Sequence, residues 1–439
     1  YTRKMSKKVL IITYYWPPSG GPGVQRVLNF AKYLPKFGWE PIILTVRKGE
    51  YPARDISLEK EIPSGLKIYK TKTFEPFSLF KLISGKKQNE NIGTYILTEK
   101  SPNLVTRLSK WIRLNLFIPD ARVGWKRFAV KAGEKIIRTE GIDLILTSSP
   151  PHSLQLIGQS LARKTGKPWV ADYRDPWKEV VYNQNVKRSP FAERKDRKLE
   201  HAALNQADGI VSISKDILRL LESKCDKPKE THLVFNGYDN TPAPMPDNSC
   251  PVITYTGVLS VTRIPYPLLV ALKELREENV RFRLKFIGNT CPELKSLVDE
   301  NGLTSDTEYI SYLPHEESIR HINHSDALLL VIDNVPNNKG ILTGKLFEYI
   351  GARRAIFAIG NLEGEAAHII EECQCGKMID YNDVAGAKQT LRELYSAWEN
   401  HIPAYPFSNS SRYSREATTG ELANFMTHIL SQQAQKTEL

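Results

Sequence analysis

The sequence has no apolar run near the ~18–20 residues that a membrane-spanning helix requires, and no apolar signal core precedes its first predicted strand. Its five cysteines are scattered, with no CxxC pair and no histidines at zinc spacing. These absences argue against a membrane-spanning protein, a secreted disulfide-rich protein and a zinc-finger protein. We therefore expect a cytoplasmic protein that starts at Met5 and keeps its thiols reduced, with a metal site at Cys373 and Cys375 as a minor alternative.

Two signals of cofactor chemistry are also missing. The glycines after the first predicted strand lack the Gly-x-Gly-x-x-Gly spacing, and no acidic residue follows the second strand to hold a ribose, so a nicotinamide-binding domain is disfavoured. No DxD-like acidic pair ends a predicted strand at a suitable place, so we predict chemistry without a metal or other cofactor. No motif of a nucleic-acid reader is present, so we expect no nucleic acid among the partners.

Positive charge is concentrated in the first third of the chain. Residues 1–140 hold 27 Lys and Arg against 11 Asp and Glu, a net charge of +16. Because the whole chain carries +12, the remaining residues carry −4. Such asymmetry is typical of proteins that meet nucleic acid, an anionic membrane surface or an anionic substrate, and also of an ordinary solvated face.

Short apolar runs alternate with segments of helical period along nearly the whole chain. In 439 residues of ordinary composition, 41% hydrophobic and 25% charged, this alternation predicts two α/β domains with parallel, doubly wound sheets. We expect an N-terminal domain at 1–240 with a basic insert near 51–131, a boundary in the Pro- and Asn-rich stretch 238–251, and a C-terminal domain at 251–405. A last helix within 406–439 is expected to pack back toward the N-terminal domain.

The apolar runs predict twelve strands. In the first domain these are Val9–Tyr14, Pro41–Val46, Leu66–Thr71, Asp143–Ser148, Trp169–Tyr173, Gly209–Ser212 and His232–Phe235, and in the second Val252–Thr256, Leu284–Gly288, Glu308–Leu313, Ala327–Ile332 and Ala355–Ile359.

The segment Leu104–Ile118 interleaves Arg107, Lys110 and Arg113 with apolar residues at spacings of three and four. This pattern predicts a basic amphipathic helix. Such a helix either docks on its own domain or meets an anionic membrane surface or an acceptor. The second possibility would make the protein peripheral on the inner face of a membrane.

Three predicted strand ends of the first domain carry polar or glycine residues. The first strand runs into a loop with Gly20, Gly21 and Gly23, the strand ending near Ser148 is followed by His152, and the next strand is followed by Asp175. Carboxyl ends of parallel strands meet at one edge of a sheet, where glycines let backbone N–H groups approach an anion. We expect these loops to line one crevice, although a histidine satisfied within its own Pro-Pro loop is an alternative for His152.

The second domain shows a similar arrangement. Its first strand is followed by Gly257 and Arg263, and a helix begins near Gly344 and Lys345. A cation and free N–H groups at a helix start suit a diphosphate. Glu348, one turn into the helix, could accept hydrogen bonds from ribose hydroxyls, or could simply face solvent.

Seven segments in this order resemble the family-4 glycosyltransferases, which transfer sugars from nucleotide donors with retention of configuration. They are Tyr14–Gly23, Thr147–Ser153, Ala171–Trp177, Phe235–Asp239, Tyr255–Ser260, Phe286–Gly288 and Lys345–Glu348. The resemblance implies the GT-B fold, in which two Rossmann-like domains face each other across a cleft. It also implies a nucleotide-sugar donor and a polysaccharide, glycan or lipid-linked acceptor.

The resemblance assigns roles to individual residues. His152 would lie beside the transferred sugar, Arg263 would replace the phosphate-binding lysine, and Glu348 would be the second glutamate of the family's pair. The sequence departs from the family pattern at Val258, where an arginine is usual, and at Gly340, where the first glutamate is usual. We expect the catalytic set His152, Asp175, Arg263 and Lys345, and the donor-binding set Gly20, Gly21, Gly23, Gly257, Arg263, Gly288, Leu313, Thr343, Gly344, Lys345 and Glu348.

Two other functions stay open at this stage. A nucleotide-sugar epimerase could use the same architecture, because fold alone does not fix function. A non-catalytic nucleotide-binding scaffold is suggested by the two departures from the family pattern.

Overall fold

The computed structural model describes residues 6–51, 53–74, 111–179, 188–239, 243–311 and 313–438. The chain divides into two compact units. Tyr1–Phe235 and Thr418–Leu439 form the N-terminal unit, and Asn236–Ala417 forms the C-terminal unit. The boundary between Phe235 and Asn236 therefore falls a few residues before the linker that the composition predicts.

Seven parallel strands form the sheet of the N-terminal unit. They are β1 (Lys7–Ile12), β2 (Trp39–Val46), β3 (Lys67–Thr71), β4 (Leu144–Ser149), β5 (Trp169–Tyr173), β6 (Gly209–Ser212) and β7 (Glu230–Leu233). Their order across the sheet is β3-β2-β1-β4-β5-β6-β7. In the register of the central pairs, Val9 lies beside Pro41 on one side and Leu144 on the other.

Helices cover this sheet. They are α1 (Pro22–Tyr33), α2 (Lys126–Glu140), α3 (Ser153–Thr165), α4 (Pro190–Gln206) and α5 (Lys215–Glu222). Pro22 starts α1, where its missing N–H costs no hydrogen bond, and a 3₁₀ turn then ends at Gly38 in the left-handed conformation. Gly141 and Gly166 end α2 and α3 in the same way.

Both faces of the N-terminal sheet are buried. Leu10 and Ile12 of β1 pack in one apolar cluster, whereas Val9 and Ile11 pack in a second cluster on the opposite face. This explains why β1 reads as a continuous apolar run rather than an alternating one, as is usual for parallel sheets covered on both sides. The second cluster is completed by Leu422, Ala423, Phe425, Met426 and Ile429 from the end of the chain.

Six parallel strands form the sheet of the C-terminal unit. They are β8 (Val252–Thr256), β9 (Arg283–Ile287), β10 (Thr307–Ile310), β11 (Ala327–Val331), β12 (Ala355–Ile359) and β13 (Gly376–Ile379), in the order β10-β9-β8-β11-β12-β13. The helices are α6 (Tyr266–Glu277), α7 (Pro292–Glu300), α8 (His315–Asn323), α9 (Gly344–Ala352), α10 (Glu365–Cys373) and α11 (Val384–Glu399). The last helix, α12 (Arg415–Glu438), begins in this unit and continues into the N-terminal one.

The two sheets share one topology. In each, the first strand lies between the second and the fourth, so the strand order reverses beside it. In open α/β sheets, ligands bind beyond the carboxyl ends of the strands at this switch point. The loops after β1 and β4, and those after β8 and β11, are therefore the places to look for a site.

The prediction of doubly wound α/β architecture is confirmed, with differences at the edges. The strand predicted at His232–Phe235 is β7 at Glu230–Leu233, and β13 was not predicted. Of the helix predicted at Leu104–Ile118, residues 104–110 lie outside the described residues, and 111–116 are helical. Within the described part of the chain, no helix is both long and apolar enough to cross a membrane.

Candidate functional site

The loops after β8 and β9 approach each other closely. Gly257 and Gly288 both have positive φ, 108° and 116°, which glycine adopts without strain. A Cβ on Gly288 would lie 2.3 Å from the carbonyl oxygen of Gly257, and one on Gly257 would lie 2.8 Å from the Lys345 ammonium nitrogen. A side chain at either position would clash with a neighbouring atom, so both predicted positions require glycine.

Lys345, at the start of α9, reaches across to the β8 strand. Its Nζ donates to the Tyr255 hydroxyl at 2.8 Å and lies 4.3 Å from the centre of that ring. The Tyr255 hydroxyl in turn donates to the Val258 carbonyl at 2.8 Å. Burial, assisted by nearby Arg263, lowers the pKa of Lys345 to about 8. The lysine is thus held beside the loops and titrates close to neutral pH.

Arg263 is held by an acidic residue that sequence reasoning did not single out. Its Nη2 donates to Asp333 at 2.6 Å, and Thr262 donates to the other carboxylate oxygen at 2.6 Å. Asp333 follows β11, so this ion pair bridges the two loops at the switch point. The Arg263 guanidinium is therefore paired with a carboxylate, and its role as a phosphate-binding cation stays a prediction.

Glu348 lies one turn into α9 and is largely buried. Burial raises its pKa, while the charges of His315, Arg415 and Lys345 act in the opposite direction. The Nδ1 atom of His315 lies 4.0 Å from a Glu348 carboxylate oxygen. Glu348 is therefore not a solvent-facing helix carboxylate.

No side chain caps the backbone N–H groups at the start of α9 in the described structure. Thr343 precedes the helix with extended backbone, its side chain caps no N–H group, and its hydroxyl is buried without a hydrogen-bond partner. The first N–H groups of the helix are left for an anion, as is general at helix starts. Gly344 has open space at its Cβ position, and Leu313, two residues before α8, is half-buried.

The glycine loop of the N-terminal unit is hydrogen-bonded to the segment that follows β2. Gly20 donates its N–H to the Ala53 carbonyl at 3.0 Å. Gly21 precedes α1 with φ 104° and no side-chain cap; Pro22 has no N–H, and the Val24 and Gln25 N–H groups donate to the Gly21 carbonyl. A Cβ on Gly23 would lie 1.7 Å from a guanidinium nitrogen of Arg174. Gly23 therefore makes the space in which Arg174 lies.

Arg174 is positioned by backbone carbonyls. Its Nε donates to Ser149 at 3.2 Å and its Nη2 to Pro150 at 2.6 Å. Burial lowers its pKa, whereas the charges of Asp172 and Asp175 raise it. The guanidinium thus joins the loops after β1, β4 and β5. Asp175 is half-buried, and burial raises the pKa of its carboxyl while Arg174 lowers it.

A buried ion pair lies beneath these loops. Arg26 of α1 donates two hydrogen bonds to Asp172 of β5, at 2.9 and 3.0 Å, and the side chains are 2% and 0% exposed. Ser148 donates to the same carboxylate at 2.6 Å. The pair fixes α1 against the sheet.

His152 is 8% exposed and stacks on Trp177, with ring centres 5.0 Å apart. Its Nδ1 lies 3.2 Å from the Ser149 hydroxyl, and its ring also bonds the Pro176 backbone. Burial, followed by the charge of Arg174, lowers the pKa of His152 to about 3. The imidazole is neutral at physiological pH, and it contacts residues of the loops after β4 and β5.

The residue that organises the start of α3 is Asp120. One of its oxygens accepts the Ser153 N–H at 2.8 Å and the other accepts the Ser153 hydroxyl at 2.9 Å. Ser153 is the first helical residue rather than the cap that its position suggests. No local signal could reveal this, because the two residues are 33 positions apart.

The described part of the predicted basic helix has a mixed surface. Trp111 and Leu116 are 52% and 60% exposed. Arg113 is half-buried, and burial lowers its pKa. Arg113 is therefore only partly accessible from outside, and Arg107 and Lys110 lie outside the described residues.

The structure brings the predicted residues together as two groups, one in each unit. It adds Tyr255, Asp333, His315 and Asp120, which contact residues distant in sequence. Among the described residues, no group of three or more His, Cys, Asp or Glu is placed to hold a metal ion, and Cys373 and Cys375 are buried free thiols.

The comparisons with known proteins agree with this architecture. Sucrose-phosphate synthase from Thermosynechococcus elongatus is 14% identical over 98% of both chains, with a TM-score of 0.53. Anabaena HepE, in complex with UDP and glucose, is 12% identical over 96% of this chain and 100% of its own, with a TM-score of 0.60. TarM from S. aureus, in complex with Fondaparinux, alpha-GlcNAc-glycerol and UDP, is 12% identical over 95% and 99%, with a TM-score of 0.60.

No curated protein sequence matched the chain. The sequence model of Glycosyltransferase Family 4 matches residues 95–241, which include the loops after β4, β5 and β6. At these low identities the solved structures establish the fold. The expected GT-B fold of glycosyltransferases is thereby confirmed, and residues 95–241 are similar to Glycosyltransferase Family 4.

Proposed function

We propose that the protein is a retaining glycosyltransferase that moves a hexosyl group from a nucleotide sugar to a polysaccharide, glycan or lipid-linked acceptor. The observation that carries this proposal is the group around α9, where Lys345, Glu348 and free helix N–H groups lie beside the glycine loops after β8 and β9. HepE and TarM, which share the fold, were solved with UDP. UDP is therefore the first nucleotide to test.

The proposed reaction requires positive groups beside the leaving diphosphate. Breaking the bond between sugar and diphosphate builds negative charge on the leaving group, and fixed positive groups stabilise that charge more in the transition state than in the ground state. Lys345 and the start of α9 would supply this stabilisation, with Arg263 positioning the loop through Asp333. We propose transfer without a metal ion because these groups can neutralise the diphosphate themselves.

Replacing Glu348 with Ala should weaken UDP binding by about 1–3 kcal/mol, the scale of hydrogen bonds to a charged group. The reason is that the carboxylate would accept hydrogen bonds from the ribose. Isothermal titration calorimetry measures the change, and Glu371→Ala, an exposed glutamate on α10, is the matched control. Equal affinity of the Glu348 variant and the wild type would remove this residue from the site.

Replacing His152 with Ala should lower turnover about tenfold or more while leaving UDP affinity unchanged, because the ring supports the loops after β4 and β5. Since its pKa is about 3, His152 stays neutral from pH 5 to 8, and the rate should show no ionisation belonging to it in this range. Steady-state kinetics across pH tests both statements. His201→Ala, at an exposed histidine, is the control, and wild-type turnover in the His152 variant would refute the role.

Attachment to an anionic membrane surface is part of the proposal and rests on the exposed side chains of Trp111 and Leu116. Changing both to Ser should reduce co-sedimentation with anionic vesicles severalfold. The control is the double change Leu362→Ser and Ile402→Ser, which removes two exposed apolar side chains from the C-terminal unit. Equal sedimentation of both variants, or none of the wild type, would favour a soluble acceptor.

The alternative functions give different products. A transferase releases sugar slowly from its cognate donor when no acceptor is present, an epimerase returns an isomerised nucleotide sugar, and a scaffold does neither. Incubation with a panel of UDP-sugars followed by chromatography separates the three.

A further inference from the structure

A basic groove lies on the outer surface of the N-terminal unit, between α2 and α3. It has a volume of about 580 Å³. None of the residues of the candidate site lines it. Its lining comprises five basic residues and one acidic residue over a floor that includes Val123 and Val130; the charged residues are Lys126, Arg127, Lys131, Glu134, Arg163 and Lys164.

Most of this charge has no carboxylate partner in the described part of the chain. Lys164 pairs with Glu134. Among the described residues, Lys126, Lys131 and Arg163 form no ion pair, and Arg127 lies only over the ring of Phe128. Like charges repel each other, so binding of an anion in the groove is electrostatically favourable.

Lys126 is the innermost of these cations. It is half-buried, and burial lowers its pKa, with nearby Arg163 lowering it further. A partly buried ammonium without a carboxylate partner is costly for a fold to keep. An anionic ligand would remove that cost.

We propose that this groove, the basic groove, binds a soluble polyanionic chain such as a phosphate- or sulfate-bearing saccharide. The helical spacing of Arg127 and Lys131 along α2, facing Arg163 on α3, would meet successive charges along such a chain, and Val123 and Val130 would meet its apolar faces. A bilayer surface is flat and cannot enter a concave groove, so a chain fits the shape better than a membrane does. This inference does not depend on sugar transfer.

The probe is linear polyphosphate, and its affinity is measured by fluorescence anisotropy at ~50 and ~200 mM salt. The groove variant carries Arg127→Glu, Lys131→Glu and Arg163→Glu. The matched control carries Arg194→Glu, Lys195→Glu and Arg197→Glu, which reverse the same three charges on the exposed face of α4 in the same unit.

We expect the groove variant to lose at least about tenfold in affinity and to show a weaker salt dependence, and the control to change by less than about twofold. Equal losses in the two variants would show diffuse attraction and overturn the proposal. So would unchanged affinity in the groove variant, or a wild type that binds anionic phosphatidylglycerol vesicles through the groove but not polyphosphate. Melting temperature checks folding, and UDP titration reports separately on the proposed function, since its outcome leaves the groove result unaffected.

Discussion

Replacing Asp172 with Asn is expected to lower the free energy of unfolding of the N-terminal unit by about 3–5 kcal/mol. The neutral amide cannot balance the Arg26 guanidinium, which is 2% exposed and would remain buried without its counter-charge. The amide also cannot accept in the same way the two hydrogen bonds from Arg26 and the one from Ser148. The loss combines charge desolvation with broken hydrogen bonds.

Urea unfolding followed by tryptophan fluorescence measures this effect, because six of the seven tryptophans lie in the N-terminal unit. Two controls sharpen the result. Glu316→Ala breaks an exposed pair with Arg320 and should leave the midpoint unchanged. The double variant Arg26→Met with Asp172→Ala removes both charges and should recover part of the stability. A single variant as stable as the wild type would show that the pair does not hold α1 to the sheet.

Replacing Lys345 with Ala is expected to lower kcat by about 100- to 1000-fold, the scale of removing one group that stabilises developing charge. Lys345 is held at the start of α9 by the Tyr255 hydroxyl, 2.8 Å from its Nζ, so it is placed before the donor arrives. Steady-state transfer measures the loss. Lys377→Ala, an exposed lysine on β13 of the same unit, is the matched control.

The pH dependence of the transfer rate provides a second test of Lys345. In the proposed mechanism the protonated lysine is the active form; since its pKa is about 8, kcat/KM should fall as pH rises through about 8. A bound diphosphate favours the charged form, so the fall in kcat should occur at higher pH. Lys345→Arg keeps its charge throughout this range and should remove the decline. A decline that persists in the Arg variant would assign it to another group.

Strands that are buried along their whole length could be predicted, because burial there requires a run of apolar residues. Strands such as β8, β11 and β12 are buried throughout and read as apolar runs. By contrast, β13 lies at the sheet edge, is half-exposed over three of its four residues, and contains Gly376 and Lys377, so it gives no apolar run.

The candidate site was predictable where a motif is local and not where it depends on long-range pairing. Loops at strand ends indicate four of its residues, which are Gly257, Gly288, Lys345 and Glu348. The pairing of Arg263 with Asp333 joins residues 70 positions apart, and it gives the arginine a contact between two loops that no local motif reveals. His152 shows the same limit, since only packing reveals its stacking on Trp177.

The last helix has a consequence for how the protein is made. Leu422, Phe425 and Met426 of α12 complete the apolar cluster on one face of the N-terminal sheet, and Trp39 donates to the Ala423 carbonyl at 3.3 Å. On the ribosome these residues emerge only after the whole C-terminal unit has been synthesised. Because α1 packs in the same cluster, only the part of this sheet face that α12 covers stays uncovered until then. Folding of the N-terminal unit is therefore completed late, although most of its residues are translated early.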